Sequence, residues 1–171
     1  APLQIDLQTQ GLAVWRELGD KRGIAEALNN LGVTTRDRGD RVRGKALVEE
    51  SLALFRELSD RRGVAYALNN LAEFVRDDGD HARARALFEE SVPLFEGIED
   101  WRGLSHALDN LGGILTTQGE FGRAEALYGR SLQLAEDLGD THAIATALRS
   151  LGSVAHQRRD HARARSLYED S

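Results

Sequence analysis

A 40-residue internal repeat constrains this chain more than any other feature. A sequence that returns to itself at fixed spacing folds as stacked copies of a small unit rather than around one central core. Residues 23–32, Gly-Ile-Ala-Glu-Ala-Leu-Asn-Asn-Leu-Gly, return with few changes at 63–72, 103–112 and 143–152. Residues 23–62 and 63–102 are identical at 21 of 40 positions. Residues 1–22 match the second half of a repeat, with Trp15-Arg-Glu-Leu-Gly-Asp20 lying over Phe55-Arg-Glu-Leu-Ser-Asp60, and the last copy stops at Ser171 inside its second half. The expected organisation is a single array over 1–171, divided into 1–22, 23–62, 63–102, 103–142 and 143–171.

Each repeat reads as two helices. Asp stands at 20, 40, 60, 80, 100, 140 and 160, with Glu120 in the gap. An acidic residue every 20 positions predicts an N-cap at each helix start, where a carboxylate accepts from free backbone N–H groups. Gly19, Gly39, Gly79, Gly119 and Gly139 precede these acids, as suits a left-handed helix end. The stretches between are rich in Ala, Leu, Arg and Glu, and none alternates like a strand. The expectation is all-α: one leading helix and four helix pairs.

Stepping 100° per residue along the first helix of each pair gathers Leu28, Leu31 and Thr35 on one arc. The matching sets are Leu68, Leu71 and Val75; Leu108, Leu111 and Leu115; Leu148, Leu151 and Ala155. The second helices offer Leu47, Leu87, Leu127 and Leu167, followed by Val48, Phe88, Tyr128 and Tyr168. Trp15 aligns with Phe55 and Phe95 and is assigned to core packing. The opposite face of the first helices is polar without being mainly Lys and Glu. It carries Glu26, Asn29, Asn30, Arg36 and Asp37, then Tyr66, Asn69, Asn70, Glu73, Arg76 and Asp77. It continues with His106, Asp109 and Asn110, then Arg149, Ser150 and His156.

Composition removes whole classes of function. No run approaches the ~18 apolar residues of a membrane span. The net charge of -6 lacks the basic footprint of a nucleic-acid binder. Zero Cys excludes thiolate chemistry, disulfides and Cys-ligated zinc. The opening Ala1-Pro2-Leu3-Gln4 has no signal-peptide pattern, and a start at Ala rather than Met reads as a piece of a longer cytoplasmic protein. The histidines at 81, 106, 142, 156 and 161 form no i, i+4 metal pair. Gly39-Asp-Arg-Val-Arg-Gly44-Lys45-Ala46 nearly spells a phosphate-binding loop, but it lacks the Ser/Thr and the preceding strand that the mechanism needs. No cofactor, metal or catalytic centre is expected.

With these residues in place the chain resembles a tetratricopeptide repeat protein. Leu31-Gly32 with Gly44 and Val48 carries the signature, as do Leu71-Ala72 with Ala84 and Phe88. Leu111-Gly112 with Ala124 and Tyr128, and Leu151-Gly152 with Ala164 and Tyr168, complete it. The repeat is longer than the family's usual ~34 residues, and the family's Pro near the end of the second helix is missing. The 40-residue form is similar to the repeat regions of bacterial ATPase-type transcription regulators and to spindle-orientation adaptors. The Arg-rich composition leans to the bacterial group. The resemblance implies a right-handed superhelical solenoid of antiparallel helix pairs that binds a peptide or protein segment in a groove lined by first helices.

In several members of the family an Asn before the Leu-Gly pair grips the ligand backbone. Asn30, Asn70 and Asn110 match that position, and Ser150 replaces it in the last repeat. An amide both donates and accepts, so it can hold a peptide group without reading its side chain. The same amides can instead fix the stacking of neighbouring repeats. Asn29, Asn69, Tyr66, His106, Arg36, Arg76 and Arg149 complete the expected contact set, and Arg36 and Arg76 can alternatively pair with Asp37 and Asp77. The face carries two excess negative charges, which argues against the family's basic clamps for acidic tails and for a neutral or mildly basic partner. The alternatives are a regulatory or effector-sensing segment of a larger bacterial signalling ATPase, and self-association through uncapped ends.

Overall fold

The structure is a computed structural model describing residues 2–171. Ala1, on which the reading of a trimmed start rests, lies outside the described residues. Nine helices and no strand occur among the described residues: α1 (Pro2–Leu18), α2 (Lys21–Asp37), α3 (Arg41–Glu57), α4 (Arg61–Asp77), α5 (His81–Gly97), α6 (Trp101–Thr117), α7 (Phe121–Leu138), α8 (Thr141–Gln157) and α9 (His161–Glu169). The expected leading helix and four pairs all form.

Capping sets the starts. Asp40, Asp60, Asp80, Asp100, Asp140 and Asp160 each accept from the backbone N–H three residues on, at 3.0–3.1 Å. Asp20 accepts from both Arg22 and Gly23. Glu120 departs from the expectation. Its side chain makes no capping bond to the backbone of α7, and its Oε2 accepts from Arg123 Nη1 at 2.6 Å instead. The extra methylene carries the carboxylate past the N–H that a shorter Asp reaches.

Every turn between helices passes through one residue of left-handed backbone. The five expected glycines take it with φ between +65° and +91°, but Ser59, Glu99 and Arg159 take it with φ of 53°, 54° and 64°. At Gly39 the geometry closes in full: its N–H donates to the Arg36 carbonyl and the Asp40 N–H to the Thr35 carbonyl, satisfying two carbonyls left over by α2.

The chain divides into two compact units, Ala1–Leu94 and Phe95–Ser171. The division falls within α5 just after Pro93, whose ring nitrogen cannot donate to the helix ladder. In the first unit α1 packs on α2, α2 on α3 and α4, and α3 on α4. Leu12, Leu28 and Leu31 form its leading core cluster, with Ile24, Leu47 and Leu54 against them. Gly32 and Gly44 set the spacing of α2 and α3, because a Cβ on Gly32 would stand 2.6 Å from Val48 Cγ2 and 2.8 Å from the Gly44 carbonyl oxygen. Ser51 Oγ ties α3 to α2 within their pair by donating to the Ala25 carbonyl at 2.7 Å.

In the second unit α6 packs on α7 and α8, α7 on α8, and α8 on α9. Leu115, Ala124, Tyr128, Leu151 and Val154 are buried together. The Tyr128 ring lies over Gly112, and Tyr168 lies over Gly152 in the same way.

The expected core arcs of the first helices are buried, apart from the half-buried Leu148. Two aromatics assigned to the core are more open than expected. Trp15 is 39% exposed and Tyr168 45%, each resting one ring face on a helix glycine and leaving the rest uncovered. The loop-like segment at 39–46 is a turn at Gly39 followed by α3, with a helix and not a strand before it.

Candidate functional site

Within each unit, adjacent first helices lie side by side, α2 beside α4 and α6 beside α8. The repeat therefore sets equivalent polar residues next to one another. In the first unit Asn70 Nδ2 donates to Asn29 Oδ1 at 3.0 Å. In the second Ser150 Oγ donates to Asp109 Oδ1 at 3.2 Å, at the same offset of 41 residues. Asn70 and its counterpart Ser150 each join one first helix to the one before it. The carboxylate of Asp109 is drawn into this bond and largely desolvated. Burial raises its pKa, while the Ser150 hydroxyl and the nearby His106 and Arg149 charges work in the opposite direction. Tyr128 brings its hydroxyl to 3.4 Å from Thr116 Oγ1 in the same region, and burial raises its pKa as well.

Arg36 is committed in a similar way. Its Nη1 donates to Glu73 Oε2 at 2.5 Å, its Nε donates to Asp37 Oδ1 at 3.4 Å, and its guanidinium carbon stands 5.4 Å from the centre of the Phe74 ring. Its side chain is 20% exposed. Burial alone disfavours the charged form, but Glu73 and Asp37 outweigh it and the pKa is raised. Arg76 is more open and meets Asp77 at 3.3 Å. Asn69 is buried, with Nδ2 3.4 Å from Glu73 Oε1. Asn110 is half-buried, His106 is exposed, and Arg149 is exposed with Nη2 at 3.4 Å from Thr146 Oγ1.

Asn30 and Tyr66 lie on the open part of this face. Asn30 is exposed and Tyr66 is 38% exposed. Both line a cavity of about 270 Å³ in the first unit, with Arg22, Glu26, Asn29, Phe55, Asp60, Arg62 and Gly63. A second cavity of about 230 Å³ shares Glu26 and Asn30 and is completed by Gln8, Gly11, Trp15, Gly23 and Ala27. The two are successive copies of one design: an aromatic ring from a second helix (Trp15 or Phe55) lies on a first-helix glycine (Gly23 or Gly63). Sequence reasoning placed Glu26 on this face but missed Trp15 and Gln8 as cavity walls. The signal was present in the pairing of an aromatic with a glycine eight residues later, which recurs at 15/23, 55/63 and 95/103.

No group of three or more His, Asp or Glu placed to hold a metal ion occurs among the described residues. No described helix is long and apolar enough to cross a membrane.

The comparisons with known proteins bear on the fold and the family. The tetratricopeptide repeat family model matches residues 23–97, 63–137 and 103–171. No curated protein matches the chain. Among solved structures, BtubC from P. vanneervenii is similar with a TM-score of 0.84 at 22% identity, over 98% of this chain and 70% of that one. The apo form of RapI gives 0.82 at 15% identity, over 97% of this chain and 46% of that one. A signal transduction ATPase with numerous domains from Pyrococcus horikoshii, which carries a tetratricopeptide repeat sensor, gives 0.78 at 12% identity. The match covers 88% of this chain and 24% of that protein. At these identities the likeness speaks for the fold alone. That fold is a helical-repeat scaffold suited to protein–protein interaction, of a kind that is typically not enzymatic. Matched by the family model over residues 23–171, the chain belongs to the tetratricopeptide repeat family.

Proposed function

We propose that this chain is a protein-recognition module that holds a partner segment of neutral to mildly basic character against the exposed polar face of its first helices. The observation that carries the reading is the pair of adjoining cavities on α2. Asn30, Glu26 and Tyr66, which line them, are exposed to solvent, while Asn29 and Asn70 behind them are bonded to each other. Among the expected Asn residues, Asn30 is the open one that lines both cavities. It takes the ligand-gripping role, and Asn29 and Asn70 hold α2 to α4 behind it. The 40-residue register runs unbroken through 1–171, so His106, Asn110 and Arg149 are proposed as the corresponding contacts of the second unit.

A random-peptide display library selected on the protein tests this. Enriched peptides should bind Asn30→Ala and Tyr66→Ala several-fold more weakly, with unchanged far-UV spectra. Enriched peptides that bind both variants as well as the parent would refute the assignment.

A second reading rests on the likeness to the ATPase with a tetratricopeptide repeat sensor. Here the module would be the sensing segment of a larger bacterial signalling protein. The gene surrounding this segment discriminates: a nucleotide-binding domain upstream favours it, and its absence removes it.

A further inference from the structure

We infer that the cavity between α1 and α2 is a receptor for one basic side chain, a guanidinium or ammonium group presented by the bound segment; this rests on, and sharpens, the recognition role proposed above. The two adjoining cavities share Glu26 and Asn30 but differ in charge. The larger one is balanced, with Arg22 and Arg62 against Glu26 and Asp60. The smaller one has a single carboxylate, Glu26, and no cation in its lining.

Its remaining walls suit a cation. Trp15 lies over Gly23, where an added Cβ would fall 2.5 Å from the indole, so the ring settles on the backbone of α2 and forms one side of the cavity. An aromatic wall beside a carboxylate is favourable for a guanidinium or ammonium group. Asn30 adds an exposed amide that can accept from an N–H. Gln8 adds an amide oxygen that is buried with no hydrogen-bond donor among the described residues. A buried acceptor without a donor is costly, and rotation of the amide toward an incoming N–H relieves that cost. Glu26 already meets Arg22 Nε at 3.3 Å, but both side chains are more than half exposed. A pair so exposed contributes little and exchanges readily for a better-placed cation. An anionic guest would meet the Glu26 carboxylate with no cation in the lining to receive it, and an apolar one would desolvate it. A cation is the guest that satisfies every wall.

The test uses the fluorescence of Trp15 in the intact chain, with Trp101→Phe removing the only other indole. The probes are N-acetyl-arginine amide and its neutral isostere N-acetyl-citrulline amide. The expected result is a saturable change in Trp15 emission with the arginine probe, with Kd on the order of millimolar for so small a ligand. Citrulline should give none. Glu26→Gln should weaken the arginine response about threefold or more, and added salt should weaken it too. Equal responses to both probes, or an arginine response unchanged in Glu26→Gln, would overturn the assignment. Loss of the arginine response with retained binding of library-selected peptides would sink this inference and leave the recognition role standing. Arginine binding without any peptide binding would do the reverse.

Discussion

Replacing Glu120 with Asp should make the protein more stable, although it removes an ion pair and adds no apolar contact. All seven aspartates at this repeat position accept from the first turn of the helix they precede, at 3.0–3.1 Å, and Glu120 alone does not. A side-chain N-cap contributes about 1 kcal/mol relative to none. The substitution gives up the Glu120–Arg123 pair, which is 34% and 59% exposed and so contributes only a few tenths, about 0.3 kcal/mol. The net expectation is a gain of about 0.5–1 kcal/mol. For a chain of this size that is a rise in Tm of roughly 1–4 °C. Thermal melts followed at 222 nm read the global effect. Hydrogen exchange of the Arg123 amide, which already donates to the Glu120 carbonyl at 3.1 Å, reads the local one, since a side-chain acceptor added there should slow it further. Asp40→Glu is the matched reverse: its carboxylate accepts from the Arg43 N–H at 3.1 Å, and lengthening it should lose about 1 kcal/mol. A melt lowered by Glu120→Asp, or unmoved by Asp40→Glu, would refute the idea that side-chain length decides capping here.

Asp109→Asn should stabilise the protein at neutral pH. A carboxylate whose pKa is raised by burial contributes favourably below the unfolded value of about 3.9 and loses that contribution as pH rises through the raised folded value. The parent's Tm should therefore fall relative to the Asn variant between acid and neutral pH, and parallel curves would refute this. Ser59→Gly, Glu99→Gly and Arg159→Gly should each raise stability by up to about 1 kcal/mol, because a left-handed residue with a Cβ carries strain that Gly lacks. Urea titrations compared with a glycine placed at a right-handed position would show it. Gly32→Ala should cost about 1–3 kcal/mol through its collision with Val48 and the Gly44 backbone, whereas Gly129→Ala, with nothing within 4 Å, should gain about 0.5–1 kcal/mol from helix propensity. Both are read from the same melts, and equal effects would show that packing at Gly32 is looser than its geometry.

Much of the fold was legible because its determinants are local. Asp at fixed intervals can satisfy N–H groups only two or three residues away, and Gly before it can reach the left-handed region without strain. Neither depends on what lies across the fold. Glu120 shows the limit of that reading. Its acidity is visible in sequence, but whether a longer carboxylate turns to the backbone or to Arg123 is decided by the rotamer the site permits.

The candidate site was legible as a face and not as a set of roles. Helical periodicity places Asn29, Asn30, Asn69 and Asn70 on one side, yet it cannot distinguish an amide that meets its neighbour from one left open. That choice belongs to residues about 40 positions apart in the chain. Asn70 reaches Asn29, and Arg36 reaches Glu73 and Phe74, because α4 lies against α2 at a particular height and angle. Asn30, one residue along, turns outward and lines both cavities. Repetition fixed the helices, their caps, their turns and the arcs that would be buried, since each rests on spacing along the chain. The closeness of one helix to the next assigned the partners, paired Arg36, desolvated Asp109 and opened the cavity beside Trp15, since hydrogen bonds and burial act over ångströms in space and have no counterpart in spacing along the chain.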